Sequence, residues 1–187
     1  MSRLRWLVSI TVAVLLLGGC SGDEPAAGPR PASSPPGTTP VTTTSPTPAP
    51  PELPARAQKN TKAGAVAFVY HYIDLINFSA TSGETRALRV ASQPTCRGCT
   101  GLLRGIRQIY AHEGWIRTTG WKPRGWTATG QAVGDEHVLA VRVAMPTEKR
   151  KAGPSADVTT SEAGRGTVNF RVQYRARGWT VAEMGLM

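Results

Sequence analysis

The chain has 187 residues, with 22 Lys and Arg against 12 Asp and Glu, a net charge of +10, 20 Gly, 15 Pro and 3 Cys. That is one domain with appendages, and it excludes a multidomain enzyme, a multi-span membrane protein, a coiled coil and a disulfide-rich miniprotein.

Arg3 and Arg5 precede the mostly apolar run Trp6–Leu17, which is interrupted by Ser9 and Thr11. The run is shorter than the ~20 residues that span a bilayer and has the size of a signal-peptide core. It ends Leu17-Gly18-Gly19-Cys20. These four residues resemble the bacterial lipobox, whose cysteine takes a thioether-linked diacylglycerol after cleavage. The resemblance implies that residues 1–19 are removed and that Cys20, once lipidated, holds the chain extracytoplasmically on the outer face of the cell membrane. Two or more acyl chains anchor stably where one does not. With Cys20 used by lipid, Cys96 and Cys99 remain as a pair.

Residues 20–54 form the expected tether. Ser21–Pro54 holds 11 of the 15 prolines and only two large apolar residues, Val41 and Leu53. Such a segment cannot bury enough apolar surface to offset its ordering entropy. Residues 1–54 carry three basic and three acidic side chains, so the entire +10 belongs to residues 55–187, the expected folded domain.

Asn60-Thr61 can cap a helix over Thr61–Phe78, because Ala65, Phe68, Val69, Tyr72, Ile73 and Ile76 repeat at helical spacing. Thr81-Ser82-Gly83-Glu84 reads as a capping box opening a short helix, Gly83–Ala91, which Pro94 ends. A third helix is expected over Cys99–His112, with Leu102, Leu103, Ile106, Ile109 and Tyr110 inward and Arg104, Arg107 and Gln108 outward. After Gly114 the period changes to two. Strands are expected at Trp126–Val133, at His137–Met145, at Val168–Tyr174 and, after the turn Arg175–Gly178, at Trp179–Met184. Thr147–Arg165 reads as a polar loop. Helices followed by an antiparallel meander predict an α+β domain, three N-terminal helices packed on one face of a sheet of four to five strands.

This order is similar to the cone-shaped fold of nuclear-transport-factor-2-like domains. More closely, the chain resembles an uncharacterised family of actinobacterial lipoproteins, a domain of unknown function. The resemblance rests on the lipobox, the Pro/Thr tether, Gly64–Tyr70, Thr81–Thr85, Cys96-Arg97-Gly98-Cys99 and the Trp/Gly segment Gly114–Trp126. It implies a fold and an envelope location, and no activity.

Cys96-x-x-Cys99 is the sharpest local feature. Zinc needs about four ligands, and His71, His112 and His137 show no ligand spacing. A redox pair expects a βαβ setting that this chain lacks, although Arg97 and Arg104 would favour a thiolate. A structural disulfide fits an exported protein and an i, i+3 pair at a helix start.

Trp115, Trp121, Trp126 and Trp179 each follow a glycine. With Tyr70 and Tyr72 they are candidates to line a ligand pocket in the cone interior, against the plainer role of core plugs. His71 and Asp74 stand one helical turn apart, and His71 lies off the apolar face, so a solvated pair is expected. No catalytic constellation, phosphate loop or paired carboxylate is found, and no catalytic residue, cofactor or metal is expected. Lys149-Arg150-Lys151, with Arg104, Arg107, Arg117, Lys122 and Arg124, could form a basic surface. Outside the cell its partners would be anionic lipid head groups or acidic wall polymers rather than nucleic acid. The chain therefore reads as a tethered, non-catalytic binding module, with a small-ligand carrier or sensor as the alternative and a cone-fold enzyme third.

Overall fold

The structure is a computed structural model and describes residues 48–129 and 133–187. The expected signal peptide, Cys20 and most of the tether lie outside these residues. Pro48–Pro54 run without helix or strand into a 3-10 turn at Ala55–Gln58.

Helix α1 spans Lys62–Ser82. Thr61 caps it, its Oγ1 accepting from the Gly64 N–H at 3.0 Å. The six apolar positions predicted from spacing are all buried. The helix runs past Phe78 through the expected capping box, and that box does not form. Thr81 donates back to the Asn77 carbonyl at 3.0 Å and Ser82 to the Phe78 carbonyl at 2.7 Å, so both hydroxyls serve α1. Gly83, at φ 77°, ends the helix in the left-handed region that glycine takes without steric cost. Glu84 instead accepts from the Arg86 N–H at 2.6 Å, and α2 shrinks to Arg86–Val90. Helix α3 spans Arg97–Ala111, starting two residues early because Cys96 is its N-cap. Leu103 and Ile106 are buried, Leu102, Ile109 and Tyr110 half-buried, and Arg104, Arg107 and Gln108 exposed.

Seven strands follow: β1 Trp115–Arg117, β2 Lys122–Ala128, β3 Glu136–Met145, β4 Glu148–Lys151, β5 Val158–Ser161, β6 Gly164–Arg175 and β7 Gly178–Leu186. They form two antiparallel sheets, a large one in the order β2-β3-β6-β7 and a small one in the order β1-β4-β5. The expectation of one sheet with four to five strands is corrected here. The supposed polar loop after Met145 contains β4 and β5, whose EKRK and VTTS lack apolar alternation. The strand expected at Trp126–Val133 begins instead at Lys122. Pro123 is tolerated because β2 is an edge strand, and the register shifts between Pro123 and Gly125.

β3 and β6 pair from Glu136↔Gln173 to Met145↔Gly164. This register puts Leu139, Val141 and Val143 on one face with Val168, Phe170 and Val172. That face packs on Val69, Tyr72, Ile73 and Ile76 of α1 in one core cluster. Helix α3 lies directly on β7, since a Cβ at Gly98 would stand 2.0 Å from the Met184 carbonyl oxygen. The interior is filled. Tyr72 meets Phe170 edge-on at 6.1 Å, and its hydroxyl reaches Ser92 Oγ at 2.7 Å, which donates to the Leu88 carbonyl. Burial, opposed by the Ser92 bond, pushes the Tyr72 pKa up to about 12. Among the described residues no helix is long and apolar enough to cross a membrane, and no group of His, Cys, Asp and Glu is placed to hold a metal.

Candidate functional site

Cys96 and Cys99 form a disulfide, with Cα atoms 5.3 Å apart. Both are buried, and the Cys99 N–H points at Cys96 Sγ at 3.2 Å. The bond closes the first turn of α3, a structural placement with no exposed thiol.

The small sheet divides the basic tripeptide. Lys149 and Lys151 are two residues apart on β4 and share one face, while Arg150 points to the other. Across the ladder, Lys149 faces Arg117 and Lys151 faces Trp115, and the Arg117 guanidinium lies 4.2 Å from the Trp115 ring centre. One face thus carries Trp115, Arg117, Lys149 and Lys151, with Val158 opposite Lys151 and 49% exposed. Arg150 instead pairs with Glu148. The expected three-residue cluster is corrected to two lysines, an arginine and a tryptophan. Arg104 and Arg107 stand apart, with Arg89, around a cleft of about 770 Å³.

Arg150 and Glu148 edge a recess of about 450 Å³ between α1, α3 and both sheets. Ile76, Leu102, Ile106, Trp121 and Met145 form its apolar walls. Asn77 fixes Trp121 by the backbone, accepting from its N–H at 2.7 Å and donating to its carbonyl at 3.0 Å. Trp121 is the one member of the candidate aromatic set in this recess. Tyr72 is core, Tyr70 is half-buried on α1, Trp115 is on the small sheet, and Trp126 lies 5.4 Å beneath the Lys62 ammonium. Of the two expected roles, Tyr72 and Trp179 take that of core residues, and the interior around Tyr72 and Phe170 is packed.

The large sheet carries a second cationic place. Arg124, Arg142 and Arg165 line a groove of about 570 Å³, which continues past Lys122 in one of about 700 Å³. Among the described residues no carboxylate lines either groove. At the other end of the sheet Arg171 is tied to Glu136 and Glu183, at 3.3 and 3.1 Å. Arg142 and Arg165 were missed from the sequence. Their signal was their position opposite Thr167 and Ala144 on the solvent side of a register that only the paired strands define.

A further cavity, about 1100 Å³, lies between α1, α2, the start of β7 and the Pro48–Leu53 segment. His71 lines it, 7% exposed, while Asp74 is exposed. The expected solvated pair is corrected: α2 and Pro48–Leu53 cover the flank of α1 that carries Phe68, His71 and Leu75. Burial lowers the His71 pKa, with Asp74 opposing it more weakly, so the ring is held neutral. Trp179 forms another wall, its Nε1–H donating to the Lys59 carbonyl at 3.1 Å.

Residues 39–185 match a family described as "Family of unknown function (DUF6318)". No curated protein matches the chain. Among solved structures, the intermembrane space region of the chloroplast protein ARC6 is similar at 10% identity and a TM-score of 0.49, over 73% of this chain and 98% of that one. The beta subunit of benzoate 1,2-dioxygenase from Burkholderia mallei gives 11% and 0.46, over 67% and 89%. An ntf2-like protein with a cystatin-like fold from Novosphingobium aromaticivorans gives 13% and 0.39, over 64% and 75%. All three scores lie below 0.5.

Proposed function

The chain belongs to that family of unknown function, DUF6318, and we propose from its own residues that it is a lipid-anchored, extracytoplasmic and non-catalytic binding module that docks on the anionic surface of the envelope. The lipobox at Leu17–Cys20 and the resemblance to actinobacterial lipoproteins support the location. The Pro-rich residues 20–54 serve as the tether between the anchor and the domain of residues 55–187. The non-catalytic part rests on the sequence, which offers no nucleophile, acid and base in an active-site pattern.

One observation carries the binding part: the outer face of the small sheet presents Trp115, Arg117, Lys149 and Lys151 together. Lysine and arginine near an anionic membrane contribute about 1 kcal/mol each, and tryptophan settles at the head-group level. An acidic wall polymer would meet the same cations. In cosedimentation, the chain from Ser21 onward is expected to follow vesicles containing anionic lipid and to let go as salt rises, since screening is strong beyond ~8 Å. Lys149→Ala with Lys151→Ala should weaken this by up to about 2 kcal/mol, on the order of 30-fold. Arg150→Ala should leave it unchanged. Equal sedimentation with neutral vesicles overturns the reading, and loss of binding in the presence of a soluble acidic polymer reassigns the partner.

The second reading, a small-ligand carrier or sensor, is supported by the recess of about 450 Å³ beside Trp121, which lies in the size range of ligand pockets. The filled interior around Tyr72 and Phe170 weighs toward the first.

A further inference from the structure

We infer that the cavity around His71 is a binding site for a small amphiphile with an apolar body, one hydrogen-bonding group and an acidic end. The site is independent of the small sheet and of the recess beside Trp121. Four observations converge on it.

First, its size and walls suit such a ligand. It measures about 1100 Å³, just above the usual range for small-molecule pockets, and Phe68, Leu75, Val90 and Trp179 give it apolar walls. Second, it gathers exposed apolar surface. Val90 is 70% exposed and Leu53 is 42% exposed, and both face this space. Leaving them in water forgoes burial that a ligand would supply.

Third, His71 brings a polar ring, 7% exposed, into the lining of the cavity, and no described residue hydrogen-bonds it there. Tyr72, the next residue, shows the usual solution: a buried polar group satisfied by Ser92. A ligand hydroxyl or carbonyl in the cavity would have the neutral imidazole as a hydrogen-bond partner. Fourth, the rim is asymmetric in charge. Arg86 and Arg177 stand at it against Glu84, whose carboxylate already accepts from the Arg86 N–H. The net cationic rim selects an anionic end on the ligand.

The probe is 8-anilinonaphthalene-1-sulfonate, an aromatic body with one anionic group, titrated by fluorescence into the chain from Ser21 onward, which keeps every element of the fold. Saturable binding is expected. Val90→Asp, at an exposed rim position, should weaken it at least tenfold, and His71→Leu several-fold, with near-ultraviolet circular dichroism unchanged in both. Gly105→Leu, which fills the recess beside Trp121 from a position where a Cβ meets nothing within 4 Å, should leave it unaltered. The inference is overturned by any of three results: no saturable binding, wild-type binding in both cavity variants, or loss of binding in Gly105→Leu. It is overturned also if a chain from Pro48 onward binds far more tightly, because the upstream segment would then be the occupant.

Discussion

The two sheets are built on different terms. In the large sheet, β6 alternates apolar and polar, β3 sets Leu139, Val141 and Val143 beside it, and that apolar side sinks against α1. In the small sheet, β4 is four charged residues and β5 is exposed throughout. One is held by burial; the other is held by its ladder and by Ile116, 7% exposed, packed with Ala80 and Ile106. The lesson is that hydrophobic alternation reports where a core lies and is silent about strands that serve as a surface.

The sharpest way to break this contrast is in the interior. Phe170→Ala, at a fully buried position, is expected to cost about 3–5 kcal/mol in denaturant unfolding. A cost below about 1 kcal/mol would mean that the large sheet is not the centre of stability. Next comes the α3 start. Cys96→Ser removes a short-loop crosslink and should cost about 2 kcal/mol while leaving the far-ultraviolet spectrum intact. Unchanged stability in the variant, or two reactive thiols in the oxidised wild type, would remove the disulfide from the account.

The third effect is pH-dependent. His71 binds its proton less readily when folded, because burial outweighs Asp74 on the same helix. Across the cavity it faces Glu84, Arg86 and Arg177. The unfolded chain therefore binds the extra proton, so the contribution is complete above the ordinary imidazole pKa of about 6.5 and is lost as pH falls below it. His137 is lowered too, by burial and then by Lys62, and acts in the same direction. The wild-type melting temperature should drop on acidification from neutrality, and His71→Gln should flatten that slope. An identical slope in the variant would show that the ring is not held neutral. The smallest effect is Arg150→Ala. Its pair with Glu148 is partly solvated, with side-chain exposures of 48% and 20%, and should contribute under about 1 kcal/mol. A larger loss would make the small sheet depend on ion pairing.

Much of the fold was legible locally. Helix α1 followed from six apolar positions at helical spacing, and β6 from the alternation of Val168, Phe170, Val172 and Tyr174. The boundary at Ser82 was misread because Thr81 and Ser82 can bond backward into a helix as well as forward to open one. The site was far less legible. Separating Lys149 and Lys151 from Arg150 requires knowing that they form a strand, which EKRK does not announce. His71 looked solvated because the residues covering it come from α2 and from Pro48–Leu53, about 20 residues away in either direction along the chain.

The carbonyls of Gln58 and Lys59 are gripped by the Tyr174 hydroxyl at 2.9 Å and the Trp179 indole N–H at 3.1 Å, and Asn60 reaches Asp135 at 2.6 Å. A pull on the chain upstream of Ala55 thus enters the domain at the β6–β7 hairpin before it reaches α1. The three clasps act as strain relief, like the grip where a cable enters a plug. Tension is spread into the large sheet, and the first turn of α1, with its Thr61 cap, is spared from unwinding.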